Sequence, residues 1–220
     1  MSIVEKKVSQ EDDKKVEYIE VVTEAISWGD SMRFDDANDW RTAIDTLLTR
    51  AQGTEVMARV KSICVSGTSA TCVLVKQNSL EVSRKARMYN YDILSSSDEP
   101  SLSTRVMELI NQYVPSKHTA RATSGSLAKL LLWNEEEPLV NEVLCHQSDF
   151  VSMSLMHEGL DNSQCTVTSD WHNCLKLGYD VQRKDFPEWM STLLKEGCNL
   201  DLSVLPSKVI SPGEVFGFIS

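Results

Sequence analysis

The chain has 220 residues and a formal charge of -10 at neutral pH, with 41% hydrophobic and 25% charged residues. That length is enough to bury a sizeable core, and such ordinary fractions exclude wholesale disorder and collagen-like order. The acidic balance argues against a nucleic-acid partner, which needs clustered Lys and Arg, and no apolar stretch approaches the roughly 20 residues of a membrane span.

The opening MSIVEKKVSQEDDKK has no apolar signal-peptide core. Residues 1–15 read as a charge-mixed mobile tail and residues 16–220 as a single domain. VEYIEVV, residues 16–22, is rich in β-formers and predicts a short strand. In DWRTAIDTLLTRAQG, Trp40, Ala43, Ile44, Leu47, Leu48 and Ala51 recur at helical spacing, which predicts an amphipathic helix. Asn38 or Asp39 can cap its start, and Gly53 stands past its end. Two strands are expected next, at residues 60–65 (VKSICV) and 70–76 (ATCVLVK), joined by the small-residue turn Ser66-Gly67-Thr68-Ser69. QNSLEVSRKARMYNYD predicts a hairpin return and another short strand.

Helical periodicity resumes with Leu102, Val106, Leu109, Ile110 and Tyr113, and Pro115 ends that run. A helix is expected to open at Ser124-Gly125-Ser126, another to cover residues 139–157, and a last one to run from Pro187 to Gly197. Strand-and-turn material closes the chain. Strands alternating with helices indicate an α/β domain.

Six cysteines at irregular spacing, without CxxC, and the lack of an N-x-[ST] acceptor suit a reducing, intracellular setting. Phosphate loops, dinucleotide fingerprints, HExxH and GxSxG are all missing. Cys165, His172 and Cys174 match no zinc-finger spacing, and His118, His146 and His157 read as ordinary polar or capping histidines. Glu135, Glu136 and Glu137 read as the solvated end of a helix. The turn Ser66-Gly67-Thr68-Ser69-Ala70-Thr71 is the one local feature with chemical promise. Its hydroxyls and glycine stand where a strand ends, and ligands of open α/β sheets bind at such ends. The alternative is a plain hairpin whose Ser and Thr satisfy their own backbone.

Five ordered blocks over residues 60–217 carry a family resemblance: SICVSGTSATCVLV with ARMYNYD, KHTARATSGSLAKLLLWNEEEP, CHQSDFVSMSLMHEG, SDWHNCLKLGYDVQRKDFPEWM and LPSKVISPGEVFG. Together they resemble the FGGY family of carbohydrate kinases, nearest its plant and cyanobacterial branch of D-ribulose kinases, also described as xylulose-kinase-like. The corresponding family segments run into "KLLWW", "HQADWL" and "SDYNNALKVGYD".

The resemblance implies a ribonuclease-H-like, actin-type domain, a mixed sheet with flanking helices. In the family two such domains hold a sugar and Mg-ATP in the cleft between them. An Asp deprotonates a sugar hydroxyl, which attacks the γ-phosphate, and positioning and electrostatics supply most of the rate. On this likeness Ser69 and its neighbour Thr68 fall where the family contacts the sugar. Tyr89 and Asn90 fall in the next substrate-side segment, and Asp170 and Asn173 match residues that support the pocket from behind.

Three departures shape the expectation. Ser66 stands where close members carry an acidic residue, and the family's opening DFGTSGAR-type strand has no counterpart in residues 1–15. The GTTDS-like segment with the catalytic Asp, and the glycine-rich adenine motifs, are also missing. The chain is therefore expected to be the sugar-binding N-terminal lobe, incomplete and lacking the first strand. Its substrate would be a pentulose, D-ribulose or D-xylulose. Mg-ATP would serve the intact family but is not expected to bind this chain alone. A non-catalytic, truncated paralogue acting as a sugar-binding or interaction module is the alternative. The likeness points to a plastid, and the acid-rich N-terminus to the cytoplasm.

Overall fold

Residues 1–8, 16–29, 32–156 and 165–218 are described by the computed structural model, and the chain divides into two units, residues 1–64 and 65–220. In the first unit β1 (Ser2–Val8) pairs antiparallel with β2 (Val16–Thr23), in a register running from Ser2 opposite Thr23 to Val8 opposite Val16. This corrects the expected tail for residues 1–8; residues 9–15 lie outside the described residues. The strand was invisible because its sequence, SIVEKKV, does not alternate cleanly, and pairing with β2 supplies what the local pattern lacks.

Helix α1 (Ala37–Gln52) buries the stripe of Trp40, Ala43, Leu47 and Ala51 that its spacing predicts. Its cap is neither Asn38 nor Asp39. The Asp36 side chain accepts from the Asn38 amide at 2.9 Å, while Asp39 accepts from the Arg33 amide at 2.7 Å. Residues 60–65 do not form the expected strand. No described strand pairs with them, Ile63 and Cys64 are exposed, and without a ladder partner β-propensity alone does not make a strand.

The second unit is built on a three-stranded antiparallel sheet. Its central strand, β3 (Cys72–Lys76), has its first four residues buried, as a strand covered on both faces should. One neighbour is β4 (Val82–Arg87), which returns through a tight turn at Asn78, where φ is +60°. Helices α2 (Ile93–Ser96), α3 (Pro100–Tyr113) and α4 (Ser126–Glu136) follow, with Pro100 at the start of α3, where its missing N–H costs nothing. All eight residues from Ser126 to Trp133 are buried, so α4 runs through the core instead of lying on it.

The other neighbour of β3 is β5 (Glu142–His146), in register from Cys72 opposite His146 to Lys76 opposite Glu142. Here the expected helix over residues 139–157 is corrected: it is a fully buried strand followed by α5 (Gln147–Met156), with residue 157 outside the described residues. A short apolar run is ambiguous between strand and buried helix, and the free edge of β3 decides it.

Short elements complete the unit: β6 (Thr168–Asp170), α6 (Trp171–Cys174), α7 (Glu188–Thr192), which continues as one wider π-type turn to Gly197, and β7 (Lys208–Ile210), parallel to β6. The core of this unit joins Leu74, Ile110, Leu130, Leu131, Leu144 and Leu194. Among the described residues no helix is long and apolar enough to cross a membrane.

Candidate functional site

The turn 68–71 does not link two strands, as its sequence suggested; it leads into β3. It is closed by the Thr71 amide donating to the Thr68 carbonyl at 3.0 Å, with Ala70 at φ +64°, a left-handed conformation that a non-glycine residue enters only when its surroundings enforce it. Those surroundings are specific. The Gln147 side-chain oxygen, at the start of α5, accepts from both the Thr68 amide (2.9 Å) and the Thr68 hydroxyl (3.0 Å). The Gln147 amide in turn donates to the Thr71 carbonyl at 3.0 Å.

Thr71 Oγ1 lies 2.5 Å from Thr68 Oγ1 and accepts from the Tyr89 amide at 2.8 Å. One donor order satisfies every group: Tyr89 N–H to the Thr71 hydroxyl, that hydroxyl to Thr68, and the Thr68 hydroxyl to Gln147. Such chains polarise each member and resist rotation. They tie the turn to the segment following β4, so Ser69, Tyr89 and Asn90 stand on two segments that are hydrogen-bonded together. All three side chains are exposed. A hydroxyl, a phenol ring and a carboxamide offer donors, acceptors and a flat apolar face, which is the chemistry a polyhydroxylated ligand needs.

Asp170 and Asn173 belong to a second cluster at the start of α6. Asp170 caps that helix, accepting from the Asn173 amide at 3.0 Å. The Asn173 side-chain NH2 reaches Ser148 Oγ (2.9 Å), Asp149 Oδ1 (3.1 Å) and Asp170 Oδ2 (3.1 Å). Behind it sits buried His146, with Nδ1 3.2 Å from Asp149 and 3.3 Å from Ser169 Oγ, and Nε2 3.1 Å from Ser126 Oγ. The first turn of α5 joins the two clusters. Gln147 holds Thr68, and Ser148 bonds Asn173 while packing so closely on Gly67 that a Cβ there would lie 2.8 Å from the Ser148 nitrogen. Neither Asp170 nor Asn173 is bonded to Ser69, Tyr89 or Asn90.

Sequence reasoning missed the residue between these segments. Lys129, on α4, is fully buried, and its Nζ donates to the carbonyls of Ala70 and Met88, each at 2.7 Å. Burial pushes its pKa down to about 8, the neighbouring Cys72 thiol opposing that shift and the Lys176 and Arg87 charges adding to it. The local signal was its place in an otherwise apolar run, SLAKLLLW. An unfolded lysine keeps its proton to about pH 10.5, so between pH 8 and 10.5 the unfolded chain holds a proton that the folded chain has lost. Stability should therefore rise with pH across that window, by about 3 kcal/mol in all, because below it the cost of burying the charge is present in full. Burial pushes the Cys72 thiol up to about 11, which works the other way. Unfolding free energies are best compared with those of Lys129→Met, which keeps that thiol. A difference that stays flat across the window would show that the folded ammonium keeps its proton as long as the unfolded one does, and that burial does not lower its pKa.

Other motifs resolve as structure. The His118 ring Nδ1 accepts from the Ala120 amide at 3.1 Å, a capping role. Cys165 and Cys174 are buried while His172 is exposed. Among the described residues no group of three His, Cys, Asp or Glu side chains could hold a metal ion. Glu135 and Glu136 are not merely solvated, since they pair with Arg105 and Arg87.

No family model matches the chain. Solved structures do. A glycerol kinase from Plasmodium falciparum with ADP superposes on 94% of the chain with a TM-score of 0.59 at 15% identity. A xylulose kinase from Bifidobacterium adolescentis covers 90% (TM-score 0.56, 18% identity), and a ligand-bound xylulose kinase from Lactobacillus acidophilus covers 93% (TM-score 0.57, 10% identity). The chain spans 40%, 42% and 39% of those proteins, respectively. At these identities the likeness concerns the fold: this mixed α/β chain folds like part of a glycerol or xylulose kinase.

Proposed function

We propose that this chain is the sugar-binding portion of a carbohydrate kinase of the FGGY type, with a ribonuclease-H-like fold and a pentulose, D-ribulose or D-xylulose, as substrate. The observation that carries the reading is the superposition of three sugar-kinase structures on at least 90% of the chain. The five sequence blocks support it independently, because they surround the turn, the Tyr89 segment and the start of α5 that hydrogen bonds bring together.

In this reading Ser69 and Asn90 exchange hydrogen bonds with sugar hydroxyls, and the Tyr89 ring covers an apolar face of the sugar. Thr68 holds the turn through Gln147, and Asp170 and Asn173 brace the start of α5 from behind. Mg-ATP is the proposed phosphoryl donor of the whole kinase. The described residues offer it neither a metal-binding group of three ligands nor a glycine-rich phosphate loop.

A second reading, a sugar-binding module without catalysis, draws on one observation. The two carboxylates of the cluster behind this face, Asp149 and Asp170, both accept from the Asn173 side chain, which places them in a bracing network.

Isothermal titration with D-ribulose and D-xylulose tests the shared claim. The parent chain should bind one of them, and Ser69→Ala should weaken binding about tenfold, the worth of one hydrogen bond to a neutral hydroxyl. Unchanged affinity in Ser69→Ala, or no binding by the parent, overturns the site. ADP release on adding the sugar to the chain with Mg-ATP then separates kinase from module.

A further inference from the structure

Lys129 is an unusual occupant for the middle of a helical core. Its side chain is completely buried, and among the described residues it makes no ion pair with a carboxylate. A buried ammonium without a counter-ion is costly, and a methionine of similar volume would fill the same space more cheaply. What the ammonium does is hold two backbone carbonyls, Ala70 O and Met88 O, each at 2.7 Å. Those atoms are not ordinary core groups. Ala70 is the left-handed residue that forces the 68–71 turn, next to Ser69, and Met88 is the residue before Tyr89 and Asn90.

We propose that Lys129 is a positioning residue, whose ammonium clamps the 68–71 turn to the 88–90 segment so that Ser69, Tyr89 and Asn90 present a single ligand-binding face. The proposal rests on the sugar reading of that face for its functional meaning, but the clamp itself is a property of this chain. The two segments are already joined by the buried Thr71, whose hydroxyl accepts from the Tyr89 amide at 2.8 Å. Lys129 joins them from the core side, at carbonyls one residue before Thr71 and one before Tyr89. With the ladder that sets Cys72 opposite Arg87, these ties hold the segments at successive neighbouring points, and Lys129 is the one that grips both segments through a single side-chain atom. A lysine suits this place because its three donors radiate from one nitrogen and can serve carbonyls from two different segments. The same tie anchors the carbonyl of Ala70, the left-handed residue of the turn, and so opposes relaxation of that conformation.

The clamp is separable from a merely structural role. Lys129→Met removes both donors at nearly constant volume. Lys129→Gln keeps two N–H donors on a shorter, neutral stem, and serves if the methionine variant fails to fold. Leu194→Ala is the control, a core truncation outside both segments. Two quantities are read on the 220-residue chain: titration with D-xylulose and D-ribulose, and amide hydrogen exchange at Thr71 and Tyr89.

Lys129→Met should lose at least tenfold in sugar affinity and at least tenfold in protection at both amides, beyond its change in global stability. Lys129→Gln should recover part of each. Leu194→Ala should move protection only in line with global stability and leave affinity within about twofold. Affinity and protection in Lys129→Met that track global stability as they do in the control overturn the clamp. If the wild-type chain binds neither sugar, the sugar reading falls alone. The clamp is then decided by exchange: selective loss at Thr71 and Tyr89 sustains it, and uniform loss across the fold refutes it.

Discussion

Replacing Arg84 with methionine is expected to cost about 3–5 kcal/mol of folding stability, the penalty for leaving a buried carboxylate without its partner. Arg84 reaches Glu142 with two bonds, at 3.0 and 2.8 Å, across the central strand of the sheet. Glu142 is 4% exposed. The same guanidinium closes the C-terminal end of α4, donating to the carbonyls of Glu137 (3.0 Å) and Pro138 (3.3 Å), just past the helix, and adding a second donor (2.7 Å) to the Trp133 carbonyl, which already accepts from the Glu137 amide. Burial alone would raise the pKa of the Glu142 carboxyl, but the bonds from Arg84, Ser83 and the Val140 amide outweigh it and hold the group below the usual carboxylate value. Its stabilising contribution is accordingly present above about pH 4.5 and is lost as the pH falls through the lowered value.

In Arg84→Met the balance reverses and burial dominates, so the variant should pick up a proton on folding and become less stable as the pH rises. Urea unfolding of the single variant and of Arg84→Met with Glu142→Gln checks both points. The double variant should regain most of the loss, because the charge it would otherwise strand is gone. A single-variant loss under about 1 kcal/mol would mean that the pair is solvated and behaves as a surface bridge.

Gly67→Ala is the second large effect. The added methyl would sit 2.8 Å from the Ser148 nitrogen and 3.3 Å from its Cα, both main-chain atoms that cannot rotate aside. The turn must therefore move off the first turn of α5, breaking the paired bonds from Thr68 to Gln147. About 1–3 kcal/mol of stability should be lost to the overpacking. Sugar affinity, measured by titration, should fall by more than the tenfold or so that one hydrogen bond is worth, because the whole turn is displaced. A variant with unchanged affinity would show that the turn is not part of a binding face.

The parts of the fold legible in the sequence are those whose pattern is carried by the element itself. Helices α1 and α3 repeat their apolar residues over several turns, and the β3–β4 hairpin is local. Glu142–His146 was misread because five apolar and polar residues after a proline fit a helix or a strand equally. Only β3, far back in the chain, makes them a strand. Residues 60–65 failed in the opposite sense, with strand composition but no described partner.

At the site, the hydroxyl-rich turn stood out because such residues favour turns. Lys129 did not, because a lysine one turn into a helix ordinarily points to water, and only the three-dimensional wrapping of α4 turns it inward. Gln147 and Ser148 lay inside a recognised block without a visible task. Their role comes from the β5–α5 junction, which the expected helix had erased.

The pairing of β3 with β5 also has a consequence for how the chain is made. Partners in this ladder lie between 66 and 74 residues apart, whereas β3 and β4 meet across a turn of a few residues. During synthesis at about 5–20 residues per second, the apolar strand Cys72–Lys76 waits roughly 3–15 seconds after emerging before its second neighbour exists. Through that interval one edge of this apolar strand is open to other nascent chains. Helix α4 is made before β5 and buries Leu127, Leu130 and Leu131, so it can collapse onto the hairpin first. The order of elements along the polypeptide thus gives the sheet a temporary cover until the strand that leads into the site arrives to complete it.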